Sequence, residues 1–417
     1  MTEADFSYTG ERFADIQLLR YRLNGFEQLS LSQKQYIYCL AKATLYGRDI
    51  TFDQFGRYNL IIRKTLEAIV SDLTLDERDN GEFDKLIVYL KRVWFSNGIY
   101  HHYGCEKFKP EFSEPFFRNI LNKVDSRRLP LESGETVEEL ADKLVRIMFD
   151  ADYLPKRVNK ADGDDLVMTS ACNYYEGVTQ DEAEDYYNSL KEKAGNNPPS
   201  FGLNSKLVKR DGKLTEEVYS ANGLYANAIR HIIYWLERAR DFAENDKQRD
   251  VISTLVDYYR TGDLVTFDEY SIKWVECLEG RVDFINGFIE VYGDPLGLKA
   301  SWEGIVEYTD LEATKRTRTI SDNAQWFEDN SPVDSRFRKP VVKGVTANVI
   351  CAAMLGGDEY PSAAIGINLP NADWIRAQHG SKSVTIGNLT DAYNKAAKGN
   401  GFLEEFAIDQ DTVDMIR

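Results

Sequence analysis

Apolar residues recur at helical spacing along much of the first two thirds of the chain. Leu140, Leu144 and Ile147 fall on one helical face. The stretch opens with Thr136 and Glu139, which have the Thr-x-x-Glu spacing of a capping box. The pattern therefore predicts a helix that begins at Thr136, and the acidic residues of its first turn suit the helix dipole.

The same signals predict further helices. One is expected to begin at Ser32 with Gln35 and to end at Gly47. Another is expected to begin at Thr179 with Glu182. Two more are indicated by apolar residues at helical spacing: Ile229, Ile232, Ile233 and Leu236 in the first, and Ile252, Leu255, Val256 and Tyr259, followed by Gly262, in the second.

From about residue 284 the pattern changes to short segments rich in β-branched and aromatic residues. The segment from Phe284 to Tyr292 ends at Gly293-Asp294-Pro295, a turn signal. Further strand candidates are Ile305–Tyr308, Val345–Ile350, Ala363–Asn368 and Val384–Ile386. Helical stretches separate several of them. We therefore expect an α+β fold, mainly helical, with a sheet or small barrel built from late segments.

Charge and hydropathy narrow the range of partners. The net charge of −17 argues against a nucleic-acid partner, which needs a basic face, and against an anionic membrane surface. No apolar run approaches the ~20 residues of a membrane-spanning helix. The five cysteines are odd in number and scattered, and they form neither a disulfide framework nor a thiolate zinc site. No signal peptide is visible, so we expect a cytoplasmic protein, or a periplasmic one if a leader was removed.

The segment Gly287–Gly297 carries the first candidate site. On a strand, Glu290 and Tyr292 would project to the same face. A carboxylate beside a phenol could hold an ammonium group and donate a hydrogen bond to a carbonyl oxygen. From the spacing alone, the simpler interpretation is a half-exposed strand with one polar face, since such alternation is routine in strands.

The segment Gly366–Asn371 carries the second. Here a strand candidate leads into a turn stiffened by Pro370, and the side-chain amides of Asn368 and Asn371 lie close in sequence. Paired amides suit recognition of the backbone of an extended ligand. They also occur in turns, where asparagine bonds its own main chain.

Histidine gives little support for a metal site. The four histidines are His101, His102, His231 and His379, and no HExxH motif occurs. His101 and His102 would point apart on a strand, so we expect them not to share a metal. His231 falls within a predicted helix and is interpreted as structural. The sequon at Asn388 carries weight only in a secreted protein.

Taken with other segments, these motifs resemble the dipeptidyl-peptidase III family of zinc metallopeptidases. Gly287–Gly297 resembles its "GF(I/T)E-x-Y-x-DP-x-G" stretch, and Gly366–Asn371 resembles its "GIN-x-PN" stretch. The resemblance runs from about Phe6 to the end of the chain. Further segments similar to bacterial members are Lys91–Gly98, Asn173–Tyr175, Ala324–Asp329 and Gly380–Asn388.

The resemblance implies a two-lobed enzyme with a cleft for an extended peptide. The larger lobe would have a β-barrel core wrapped in helices, and the helical second lobe, which holds the zinc, would be incomplete here. The implied divisions are residues 1–310 for the barrel-containing lobe, 311–350 for part of the helical zinc lobe, 351–372 for a strand returning to the barrel lobe and cleft, and 373–417 for the remaining barrel strand and the start of the helical lobe.

The resemblance also implies roles for four residues. Glu290 matches the carboxylate that anchors the free ammonium group of the substrate, and Tyr292 matches the phenol that stabilises the scissile carbonyl. Asn368 and Asn371 match the asparagines that hydrogen-bond the peptide near its amino end. The implied activity is zinc-dependent removal of dipeptides from the amino end of oligopeptides by a monomer.

The sequence differs from the family in its metal-binding motifs. Neither the HExxGH zinc motif nor the later E-E-x-(R/K)-A-D motif occurs in these 417 residues. We therefore expect zinc in the full-length family enzyme, none bound by this chain, and no hydrolysis by this chain alone. Two alternatives stay open: a non-catalytic module that binds peptide amino ends, or a structural fragment in which Glu290 and the asparagines make only local hydrogen bonds.

Overall fold

The structure of the protein is a computed structural model. It describes residues 6–74, 78, 80–342, 345–361, 363–397 and 405–416. All five cysteines lie in this part of the chain and are free thiols. Within the same residues, no helix is both long enough and apolar enough to span a lipid bilayer.

Helices are the main regular element of the first 280 residues and return after residue 310. Their bounds are α1 Leu31–Tyr46, α2 Arg48–Gln54, α3 Asn59–Asp72, α4 Gly81–Phe95, α5 Glu114–Leu121, α6 Val137–Phe149, α7 Gln180–Glu192, α8 Ala226–Arg240, α9 Asp246–Thr261, α10 Leu264–Glu276, α11 Leu311–Asp322, α12 Ala324–Asp329, α13 Asp373–His379, α14 Gly387–Ala397 and α15 Gln410–Ile416. Short 3-10 helices lie at Phe26–Gln28, Ser126–Arg128 and Ser335–Phe337.

The strands form one large and two small sheets. Their bounds are β1 Thr9–Phe13, β2 Ile16–Leu19, β3 Tyr175–Glu176, β4 Ser205–Arg210, β5 Lys213–Val218, β6 Val282–Glu290, β7 Ser301–Thr309, β8 Val345–Gly357, β9 Gly366–Leu369 and β10 Ser381–Ile386. β1 pairs with β2, and β3, β4 and β5 form a three-stranded sheet. The α+β fold class is confirmed, and each of the late strand candidates overlaps a strand.

The five-stranded sheet has the order β6-β7-β8-β10-β9. β8 and β10 are parallel, and the other neighbours are antiparallel. β6 and β9 are edge strands, and among the described residues no ladder of backbone hydrogen bonds joins them, so a closed barrel is not confirmed. The sheet is nevertheless strongly curved, because Lys382 on β10 reaches across to Asp283 on β6 with an N–O distance of 2.8 Å.

The capping predictions hold at two of three helices. Thr136 with Glu139 and Thr179 with Glu182 form reciprocal capping boxes at the starts of α6 and α7. The box predicted at Ser32 was wrong, because the N-cap of α1 is Ser30, two residues earlier, and its partner is Gln33. The two sites have the same Ser-x-x-Gln spacing, so the sequence pattern alone does not separate them.

Two large hydrophobic cores hold the chain together. Helix α1 packs against strands β6, β7 and β8, and α8, α9 and α10 contribute to the same core. A second core joins the apolar faces of α2 to α6. At the centre of the first core Trp302 on β7 is fully buried, and its indole nitrogen donates to the hydroxyl oxygen of Tyr259 at 2.9 Å. This core fixes the end of β6, where the candidate site lies.

Candidate functional site

The strand that carries the first candidate ends earlier than predicted. β6 stops at Glu290, and its register with β7 shifts between Phe288 and Glu290. Tyr292 therefore lies in the turn after the strand, and strand alternation does not relate it to Glu290. Glu290 is half-buried, whereas Tyr292 is 78% exposed. The prediction that both project from one strand face was wrong, because the bulge and the turn at Gly293 re-aim the chain.

Curvature of the sheet brings Asn368 and Asn371 towards β6. Asn368 lies on β9 opposite Ser383, and its amide nitrogen donates to the Ser383 hydroxyl oxygen at 2.7 Å. Asn371 follows β9, and its amide nitrogen lies 3.4 Å both from Oε1 of Glu290 and from the carbonyl oxygen of Ile289. Glu290 and Asn371 thus meet, while Asn368 is tied to β10.

The Glu290 carboxylate sits in an environment that disfavours negative charge. Burial raises the pKa of Glu290 above its ordinary value, the hydrogen bond from Asn371 lowers it, and the charge of Asp358 raises it. Burial likewise raises the pKa of Glu359, to about 7. A nearby cation would compensate these carboxyl groups, so this end of β6 is suited to bind a positively charged group.

Several acidic residues around Glu290 were missed by sequence reasoning. Glu303 on β7 is 1% exposed, and its Oε2 has no hydrogen-bond partner among the described residues. Burial, followed by the charges of Glu359, Glu290 and Asp358, raises its pKa well above the ordinary value. Glu303 lies on β7, where eight of nine residues are buried, and nothing in its local sequence separates it from a surface glutamate.

Two cavities lie near the end of β6. One, of about 50 Å³, is lined by Ile289, Pro370 and Asn371 together with Asp268, which is 8% exposed. The Asp268 carboxyl group forms no hydrogen bond or ion pair with a described residue, and burial raises its pKa to about 7. The second cavity, of about 700 Å³, is lined by Tyr292 and by residues of the segments 102–105 and 156–161. Ile289, near the end of β6, lines the first cavity, and Tyr292, just after the strand, lines the second.

The histidines do not form a metal centre in the described part of the chain. The rings of His101 and His102 stack with their centroids 4.4 Å apart, so the expectation that they point apart was wrong; they lie in a turn and not on a strand. His231 stacks on Tyr46, and His379 lies 2.9 Å from a carboxylate oxygen of Glu276. Within the described residues, no three His, Cys, Asp or Glu side chains converge in a way that could hold a metal ion.

Comparison with known proteins identifies the family. Residues 158–413 match the model of peptidase family M49. The chain belongs to peptidase family M49. Among curated proteins, this M49 chain is 25% identical over 392 residues to dipeptidyl peptidase 3 of Dictyostelium discoideum, covering 88% of the chain and 55% of that protein. It is 24% identical over 421 residues to human dipeptidyl peptidase 3, covering 91% of the chain and 55% of that protein.

Solved structures of the same family share the fold. DPP III from Caldithrix abyssi superposes with a TM-score of 0.63 at 18% identity, covering 89% of this M49 chain and 57% of that one. Dipeptidyl-peptidase III from a Corallococcus strain gives a TM-score of 0.61 at 19% identity, with the same coverage. The chain spans somewhat more than half the length of the relatives it matches. The resemblance to the dipeptidyl-peptidase III family is confirmed.

Proposed function

We propose that this chain supplies the subsite for the amino end of the substrate in a zinc-dependent dipeptidyl peptidase acting on oligopeptides. The observation that carries the proposal is the contact between Asn371 and the half-buried Glu290 at the end of β6. A carboxylate whose pKa is raised by burial gains most from a cation, and the free ammonium group of a peptide is such a cation. The amide oxygen of Asn371 would accept a further hydrogen bond from the same ammonium group.

An anchored amino end would set the position of cleavage. An extended peptide advances ~3.3 Å per residue, so fixing its first residue also fixes which carbonyl lies a given distance away. Tyr292 follows Glu290 by two residues and is largely exposed in the larger cavity. Its hydroxyl group would donate a hydrogen bond to the carbonyl oxygen of the second peptide residue, where negative charge develops during hydrolysis. Release of a dipeptide follows from this offset.

The described residues do not fit the zinc that the family implies. They offer no converging set of three ligands, and the sequence contains no HExxGH motif. We therefore assign to this chain binding and orientation of the peptide, and no step that passes through the metal. We further propose that residues 1–310 form one lobe around β6, that residues 311–350 belong in part to the helical lobe, and that later segments return to the first lobe; β8, Val345–Gly357, crosses the proposed boundary at residue 350.

Calorimetry with tetra-alanine and its N-acetylated form tests the proposal. Acetylation removes the ammonium charge, and we expect it to weaken binding to the unaltered chain about tenfold or more. In the Glu290→Gln variant the two peptides should bind with similar affinity, because the anion that distinguishes them is gone.

A matched control is Glu138→Gln, which removes an exposed carboxylate in the first turn of α6. This variant should preserve the preference for the free amino end. If the unaltered chain binds both peptides equally, Glu290 does not anchor an ammonium group and the residues serve the fold alone. Release of dialanine from tetra-alanine by this chain would contradict the expectation that it does not hydrolyse peptides by itself.

A further inference from the structure

The cavity of about 700 Å³ beside Tyr292 has a basic wall that the proposed function does not use. Lys156, Arg157 and Lys160 line it together with Tyr292 and Asp358. The protein as a whole carries a net charge of −17, so the charge of these three cationic side chains is opposite in sign to that of the protein. Three such cations would attract an anion into the cavity.

Arg157 is buried without a carboxylate partner among the described residues. It is 9% exposed, and no described Asp or Glu oxygen lies within ion-pair distance of it. Its guanidinium group rests 4.2 Å from the ring centroid of Phe55, and Nη2 donates to the carbonyl oxygen of His102 at 3.3 Å and to Sγ of Cys105 at 3.7 Å. Its Nε has no hydrogen-bond partner among the described residues. A buried cation in this state is stabilised when an anion reaches it.

The two lysines are available to an anion from solvent. Lys156 and Lys160 are both exposed, and neither forms a salt bridge with a described residue. His102 adds no charge at neutral pH, because burial, the neighbouring His101 and Arg157 lower its pKa to about 4. The positive charge of the wall therefore comes from Lys156, Arg157 and Lys160.

Asp358 is the acidic residue that faces this wall. Burial raises its pKa, and the charge of Arg157 lowers it. The same carboxyl group also influences Glu290, so the basic wall and the amino-end subsite are electrostatic neighbours. Glu290 is the last residue of β6, and Tyr292, two residues later, lines the cavity. A peptide that runs past Glu290 and Tyr292 would enter the cavity with its remaining residues.

We propose that Lys156, Arg157 and Lys160 form a subsite for a peptide carboxylate, and that it holds the carboxyl end of a short oligopeptide whose amino end lies at Glu290. This inference rests on the proposed function. A short peptide carries one positive and one negative end, and the site matches them with an acidic region and a basic wall. The consequence is a preference for short peptides with a free carboxyl end over their amides and over long chains that place no carboxylate there.

Tetra-alanine and its C-terminal amide, titrated by calorimetry into the full 417-residue chain, test the inference. We expect amidation to weaken binding about tenfold in the unaltered chain, since it removes the charge that three cations recognise. In a chain carrying Lys156→Gln and Lys160→Gln, amidation should cost less than about twofold. Both lysines are exposed, so the substitutions should leave folding intact, which circular dichroism would verify.

A matched control is the chain carrying Lys193→Gln and Lys213→Gln, two exposed lysines outside the cavity. It has the same net charge as the double variant in the cavity and should keep the full cost of amidation. Equal affinity of the two peptides for the unaltered chain would overturn the inference. So would an equal cost of amidation in all three proteins, because the effect would then not arise at this wall.

The two proposals fail in different ways. If acetylation weakens binding and amidation does not, the amino-end subsite stands and the carboxylate subsite falls. If amidation weakens binding and acetylation does not, Glu290 loses its role while the basic wall keeps its own. Absence of binding by all the peptides overturns both proposals. As a second readout, tetra-alanine should slow alkylation of Cys105, whose sulfur contacts Arg157, and its amide should do so less.

Discussion

The side-chain nitrogen of Asn371 lies 3.4 Å from Oε1 of Glu290, although 81 positions separate the two residues in the chain. The contact joins the turn after edge strand β9 to the end of edge strand β6, and the curvature of the five-stranded sheet makes it possible. It places an amide beside a half-buried carboxylate whose pKa is raised. The properties of the candidate site follow from this contact.

Asn371→Ala should shift the pH dependence of peptide binding. Glu290 must be ionised to hold an ammonium group, so affinity should rise with pH through the pKa of Glu290. Loss of the hydrogen bond from Asn371 raises that pKa further, and we expect the midpoint to move up by about half a pH unit. Calorimetric titration of tetra-alanine between pH 4 and pH 7 measures it. Asn368→Ala is the control, because Asn368 bonds Ser383 and should leave the midpoint in place.

Gly47→Ala should destabilise the protein. Gly47 joins α1 to α2 at an ordinary negative φ, so an added methyl group brings no backbone strain. A Cβ atom there would overlap the ring of the fully buried Trp302. Overpacking of this kind costs about 1–3 kcal/mol of unfolding free energy, measurable by urea denaturation. Gly81→Ala at the start of α4 has open space around the new methyl group and should not destabilise. Equal stability of the two variants would contradict the packing at Trp302.

Asp268→Asn should stabilise the protein at neutral pH but not in acid. Burial raises the pKa of Asp268 to about 7 in the folded state. Between the unfolded pKa near 4 and this value, the folded state binds more protons, so the stability of the unaltered protein falls as pH rises. Asparagine has no proton to lose. The advantage of the variant should therefore grow from pH 4 to pH 7 and then level off, at about 1–2 kcal/mol once water in the cavity is allowed for.

Urea denaturation at several pH values measures this difference. Asp185→Asn, on the exposed face of α7, provides the control and should show no such dependence. A constant difference between the Asp268 variant and the unaltered protein from pH 4 to pH 8 would show that Asp268 has an ordinary pKa.

Asn388→Ala should be costly to stability. Asn388 is buried, and its amide oxygen accepts from the backbone nitrogen of Ala352 while its nitrogen donates to the carbonyl oxygens of Ala352 and Arg22. Removing the side chain leaves these backbone groups without partners, at about 2–4 kcal/mol. Asn394→Ala, on the exposed face of α14, should change stability by less than about 0.5 kcal/mol. Comparable urea midpoints for the two variants would refute the role of Asn388.

Local signals along the chain predicted five of the fifteen α-helices named above and all five strands of the large sheet, but not their exact ends. The capping boxes at Thr136 and Thr179 were predicted correctly because each is complete within four residues. The end of β6 was missed, because the bulge before Glu290 depends on pairing with β7 and has no local signal. Asn388 shows the same limit: its sequon says nothing about burial, yet the fold buries Asn388, at the start of α14, against Ala352 on β8.

The sequence by itself determined five of the helices, the late strands, the family motifs around Glu290 and Asn371, and the acidic charge of the chain. These depend on neighbours a few residues apart or on the residues themselves. Only the tertiary structure decided that Asn371 meets Glu290, that Tyr292 leaves the strand to line a cavity, and that Arg157 lies buried beside two exposed lysines. These arise from contacts between segments far apart in the chain, which form only when a curved sheet and its packed helices bring them together.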